Sequence, residues 1–175
     1  MNSSDFFGFL RTRSSVREYS DEELTSEEIA AVILAAERAP SAGNREAWDV
    51  VIVTDLSVRE GLSDAAYQQQ HLIQAPCVFV VCANYVRSMS QYGERGILYA
   101  VQDATIAATY MMLGAHAAAL QTCWTGAFDE EAVREVLGLP EHIRPLVLLA
   151  AGKGHLPPSN AGRMPIGEHV HENIW

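Results

Sequence analysis

The stretch "ILYAVQDATIAATYMMLGAHAAAL", residues 97–120, decides the fold. Leu98, Val101, Ala104, Ala108, Met111, Met112 and Ala115 spread apolar side chains over most faces of the helix that this stretch predicts. A helix that is hydrophobic nearly all round is buried, either at the centre of its own domain or against a partner. Such a helix is roughly 35 Å long, and a chain of 175 residues covers it more easily as a dimer. Gln102, Asp103 and His116 interrupt the run, which argues against a membrane span.

Working outward, "SSDFFGFLRTR" (3–13) predicts a short first helix capped by Ser3 or Ser4. Thr25 and Glu28 match a T-x-x-E capping box, and the second helix stops near Ala39 because Pro40 disfavours helix in the residue before it. "WDVVIVT" (48–54), "CVFVVCA" (77–83), "TCWTGAF" (122–128, ending at Gly126) and "PLVLLAAG" (145–152) predict strands. A helix through "SVREGLSDAAYQQ" (57–69) follows the first strand, and a loop holding Ser88, Ser90 and Gly93 precedes the central helix. Asp129 caps a helix over "EEAVREVLG", which Gly138 terminates. Strands alternating with helices ordinarily suggest a doubly wound parallel sheet. Two helices before the first strand and the long central helix fit an α+β sheet wrapped by helices better. The remainder, 153–175, is rich in Pro and Gly without a clear period, and reads as an extended tail of a single domain.

Bulk properties exclude several partners. Net charge is −10 and the sequence pI about 4.9, which argues against a nucleic-acid surface and against docking on anionic lipid. Cys77, Cys82 and Cys123 show no close paired spacing and read as small core residues. "MNSSDFFGFLRTR" lacks the basic and apolar regions of a signal peptide, so the expected location is the cytoplasm.

Against this acidic background "RTRSSVREY" (11–19) stands out, because the chain has a single lysine, Lys153. Arg13, Ser15 and Arg17 at i, i+2 and i+4 can offer two guanidinium forks and a hydroxyl to one anion. The competing reading is a solvated face with the arginines paired to Glu18, Glu22 or Glu23. In "APSAGN" (39–44), turn chemistry accounts for every residue, yet Ser41 and Asn44, followed by Arg45 and Trp48, could also frame a polar, planar ligand. In "WTGAFDEE" (124–131), Gly126 and Ala127 put backbone N–H donors at a strand-to-helix turn. "AGKGH" (151–155) lacks the rest of a phosphate loop, no G-x-G-x-x-G follows a strand, and His169 and His171 have no third metal ligand beside them.

In order and over nearly the whole chain, these pieces resemble the nitroreductase family of flavin-dependent oxidoreductases. The resemblance is carried by "RSSVREYSDEEL" (13–24), "ILAAERAPSAGNREAWDVVIV" (33–53), "APCVFVVCA" (75–83), and "YGERG" (92–96) with the Asp103-containing helix. It continues through "CWTGAFDEEAVREVLGLPEHIRPLVLLAAGKG" (123–154) and "RMPIGEHVH…W" at the end. It implies an α+β homodimer with a mostly antiparallel sheet, FMN at the subunit interface, and the tail 153–175 packed on the partner. It also implies that Arg13, Ser15 and Ser14 hold the phosphate and ribityl chain, with Arg163 returning to the phosphate and Arg17 approaching the pyrimidine edge. Pro40, Ser41, Ala42 and Asn44 would reach the flavin bound mainly by the other protomer, and Thr125, Gly126 and Ala127 would present N–H groups toward its N5 edge.

The activity implied is ping-pong hydride transfer from NAD(P)H to a small planar acceptor such as a nitroaromatic or quinone, with no metal and no catalytic side chain. The alternatives are a non-catalytic flavin-binding or regulatory protein, a flavin enzyme of another reaction type, and a cofactor-free dimer. The short loop 84–95 speaks against an added lid. Three positions depart from the family's usual pattern: Glu46, Ala47 and Ala161. Glu46 would bring negative charge close to a reduced flavin and lower its potential, and Ala161 would leave the phosphate to Arg13 and Arg163.

Overall fold

A computed structural model describes residues 2–157 and 162–175. The central helix, α6 (Arg95–Ala117), lies on one face of a four-stranded sheet. The strands are β1 (Trp48–Val53), β2 (Cys77–Asn84), β3 (Gln121–Thr125) and β4 (Ile143–Gly152), in the order β1-β2-β4-β3 with every pairing antiparallel. The antiparallel sheet expected from the resemblance is therefore present.

Strand alternation divides the core in two. Phe79, Val81 and Ala83 of β2, with Val147, Leu149 and Ala151 of β4, face α6 and α2 (Ser26–Ala36). Val78, Val80 and Cys82, with Leu148 and Ala150, face α3 (Leu56–Ala65) and α7 (Glu130–Leu137). Both faces of β2 are covered, which is why its sequence is apolar without alternation. Small residues on α6 allow close approach: a Cβ at Gly114 would come within 2.4 Å of the Ala35 Cβ on α2. All three cysteines are free and buried, and burial pushes the Cys77 and Cys82 thiols up to about 12.

Local chemistry sets the ends. Thr25 and Glu28 form the reciprocal capping box at α2, at 2.8 and 3.1 Å. The helix stops at Ala36, before the expected Ala39. The first helix, α1 (Ser3–Thr12), is capped by Asn2 with Asp5 rather than by Ser3 or Ser4. The expected loop 84–95 is mostly a helix, α5 (Tyr85–Tyr92), because the Asn84 side chain accepts from Arg87 N and caps it. A single turn, α4 (His71–Gln74), precedes β2. The tail begins against its own chain, since Ser20 N donates to Lys153 O and His155 N to Glu18 O. Residues 162–175 are exposed throughout, with Trp175 98% accessible. No helix among the described residues is long and apolar enough to cross a membrane.

Candidate functional site

Beyond α1 the chain turns extended and lies alongside β3. Ser15 bridges Thr122 in parallel, and Val16 N donates to Thr122 O at 2.9 Å. Val16 is buried, so the period of two in an extended segment puts Arg13, Ser15 and Arg17 together on the opposite face. Neither Arg13 nor Arg17 has an ion pair among the described residues. Of the glutamates expected as competitors, Glu22 joins Glu28 on Lys153, and neither Glu18 nor Glu23 has an ion pair among the described residues. Arg13 and Ser14 line a cavity of about 120 Å³ with Thr12, His116 and Thr122.

The same strand leads into the second part of the site. Thr125 ends β3, and the turn through Gly126 and Ala127 follows before Asp129 caps α7 through Glu131 N and Ala132 N. Neither the Gly126 nor the Ala127 amide donates to a partner among the described residues. A Cβ at Gly126 would touch only the Trp124 indole, at an ordinary 3.7 Å. The fold itself therefore does not require glycine there, and the open space above it suits a flat group approaching the backbone. Burial raises the Cys123 thiol, and the nearby charges of Arg17 and Arg13 only partly oppose it.

The turn 40–47 is built separately, on Asp103. This carboxylate is only 2% exposed, and it accepts from Ala42 N at 2.9 Å and Ala47 N at 3.2 Å. The Ser41 hydroxyl is spent inside the turn, accepting from Glu46 N at 3.0 Å. Gly43, Asn44 and Glu46 all take the left-handed conformation. A Cβ at Gly43 would be strained by its φ of 55° and would displace the Tyr92 hydroxyl, 2.2 Å away. Pro40, Ser41 and Ala42 line a cavity of about 560 Å³ with Tyr99, Asp103 and Ile106 of α6.

One chain therefore places Arg13, Ser14, Ser15 and Arg17 along the strand that leads to the 125–127 turn, and holds Pro40, Ser41 and Ala42 at a second cavity on α6. Asn44 is exposed in the same turn and does not line that cavity. Arg163 stands in the exposed tail, lines neither cavity, and donates to Gly162 O at 3.3 Å. Ala161 lies outside the described residues. Of the remaining departures, Ala47 is buried and Glu46 is exposed beside Trp48 and Arg87. Arg87 donates to Glu46 O at 2.6 Å and pairs with Asp49 at 2.9 Å, bracing the turn against β1. Sequence reasoning gave Asp103 no role, and it passed over Arg87, Gln69 and His71. An acidic residue inside an otherwise apolar helix was the available signal for the first.

An arginine-bearing extended segment thus lies beside a strand-end amide turn on this antiparallel α+β frame. The family model of the nitroreductase family matches residues 10–153, and the chain belongs to that family. A protein of Archaeoglobus fulgidus, under the provisional name NADH dehydrogenase/NAD(P)H nitroreductase, is 35% identical over 138 residues, covering 77% of this chain and 76% of its own. The FMN reductase (NADPH) of Bacillus subtilis is 29% identical over 92% of this chain and 70% of its own. Among solved structures, the NADPH:FMN oxidoreductase from Vibrio harveyi complexed with NAD+ is similar at TM-score 0.88 and 25% identity, over 97% of this chain and 77% of that one.

Proposed function

We propose that this protein is an FMN-dependent NAD(P)H oxidoreductase that reduces a small planar acceptor, such as a nitroaromatic or quinone, in a ping-pong cycle. The observation that carries the reading is the face formed by Arg13, Ser15 and Arg17, which has no carboxylate partner among the described residues and lies against the strand that delivers the Gly126 and Ala127 amides. Bound FMN supplies hydride and electron transfer, and the chain supplies position and charge.

Arg13 and the Ser14 and Ser15 hydroxyls would hold the phosphate and ribityl chain, a task suited to planar guanidinium donors. Arg17 would lie toward the pyrimidine edge. Gly126 would let the isoalloxazine approach the backbone, and the two amides beside it would donate to an electronegative ring atom. Pro40, Ser41, Ala42 and Asn44, held by Asp103, would meet the flavin of a second copy. The homodimer would also cover Leu98 and Tyr110, which α6 leaves exposed. The single domain would send its tail beyond His155 onto the partner, bringing Arg163 to the phosphate. Three free, buried thiols suit a reducing compartment, and the reading places the protein in the cytoplasm.

Replacing Arg13 tests the assignment. Arg13→Ala removes a charge-assisted contact to phosphate, of about 1.5–3 kcal/mol, so FMN should dissociate at least tenfold more readily in equilibrium dialysis. An unchanged affinity would rule Arg13 out as a phosphate ligand.

A further inference from the structure

The 125–127 turn is gripped from behind by a segment that the proposed function does not use. His71 and Thr125 are both buried, and His71 Nε2 lies 2.8 Å from Thr125 Oγ1. Two residues earlier, Gln69 Nε2 donates to Ala127 O at 3.0 Å. One short segment thus holds both ends of the turn.

Its own backbone is built to do so. Tyr67 and Gln68 are consecutive left-handed residues with φ of 58° and 62°, a conformation unfavourable for residues with side chains. The buried Ser63 enforces it: Gln68 N donates to Ser63 O at 2.8 Å, and Ser63 Oγ donates to Gln69 O at 3.1 Å. A buried polar pair is also an unusual choice where an apolar pair of the same shape could fill the space. What the hydrogen bonds add is direction, because a hydroxyl and an amide carbonyl are each fixed at one point.

We propose that Gln69 and His71 are positioning residues which clamp the Thr125–Ala127 turn and hold the Gly126 and Ala127 amides, which have no partner among the described residues, in the direction that favours oxidised over reduced flavin. The inference rests on the flavin reading above. Oxidised flavin has an acceptor lone pair at N5, whereas reduced flavin carries a hydrogen there. A fixed N–H donor aimed at that edge therefore favours the oxidised form. A turn free to rotate loses that preference.

The test uses Thr125→Val, His71→Phe and the conservative Thr125→Ser, each as FMN-loaded protein beside wild type. Oxidised-FMN affinity is read by fluorescence quenching, and the flavin midpoint potential by equilibration with a redox dye. Thr125→Val and His71→Phe should weaken oxidised FMN about tenfold more than reduced FMN. For a two-electron couple that raises the potential by about 30 mV. Thr125→Ser should retain the wild-type ratio. Should His71→Phe fail to fold, the two Thr125 variants decide the matter alone. Wild-type ratios of oxidised to reduced affinity in Thr125→Val would overturn the clamp while leaving the flavin reading intact. A wild-type protein that takes up no FMN would overturn both.

Discussion

Asp103 is the residue whose loss should separate the fold from the site most clearly. Its carboxylate sits on α6 and satisfies two backbone donors of another segment, Ala42 N at 2.9 Å and Ala47 N at 3.2 Å, with almost no solvent access. Asp103→Ala strands both N–H groups, and each buried donor left without a partner costs about 1–3 kcal/mol. Because the turn can open partly to water, the sum should fall near 3 kcal/mol, or a melting temperature lower by about 6–12 °C in a chain of this size. Asp103→Asn keeps one acceptor oxygen but turns its NH₂ toward the other donor, so about half that loss is expected. Chemical denaturation of both variants, followed by circular dichroism, measures the two losses. FMN titration of the same samples should show weakened binding, since Pro40–Asn44 depend on this anchor. A loss below about 0.5 kcal/mol in Asp103→Ala would show that the turn is held by its own left-handed geometry and by Arg87, and would refute the assignment.

Two further outcomes follow from the described geometry. Gly126→Ala should leave the melting temperature within about 2 °C, because the added Cβ meets no close contact in the chain and the helix-propensity cost does not apply in a turn. The same change should reduce FMN affinity, and unchanged affinity would show that no ligand passes over Gly126. Burial, reinforced by the charge of Arg17, holds His71 below its ordinary value of 6.5. The unfolded chain therefore binds a proton that the folded chain resists, so stability is fully present above pH 6.5 and falls as the pH drops below it. Urea denaturation from pH 8 to pH 5 should show this loss in wild type and a flatter profile in His71→Phe. Parallel profiles would place the acid sensitivity elsewhere.

Much of the frame was legible because its signals are local. The Thr25–Glu28 box, the Asp129 cap and the left-handed Gly138 mark helix ends by chemistry confined to one turn. The buried strands announced themselves as unbroken apolar runs. The helix Tyr85–Tyr92 was hidden, because its serines and glutamine resemble a loop and only the Asn84 cap distinguishes it. The layout of the candidate site was legible in part for a related reason. Arginines concentrated in an acidic chain are conspicuous, and an extended segment keeps alternate residues on one face. That Ser15 would lie against Thr122, or that His71 would reach Thr125, depends on pairings across 107 and 54 positions, which no periodicity encodes. Asp103 had a visible oddity, its charge within a buried helix, but its partners are backbone amides that carry no residue signature.

On this reading the chain holds a flavin that a nicotinamide reduces. The most direct test is an anaerobic absorbance spectrum of the purified protein after incubation with FMN and gel filtration, recorded before and after NADH or NADPH is added. The expected result is an oxidised-flavin spectrum that survives filtration and bleaches on addition of at least one of the two nucleotides. A protein that emerges without flavin, or whose flavin neither nucleotide bleaches, would contradict it.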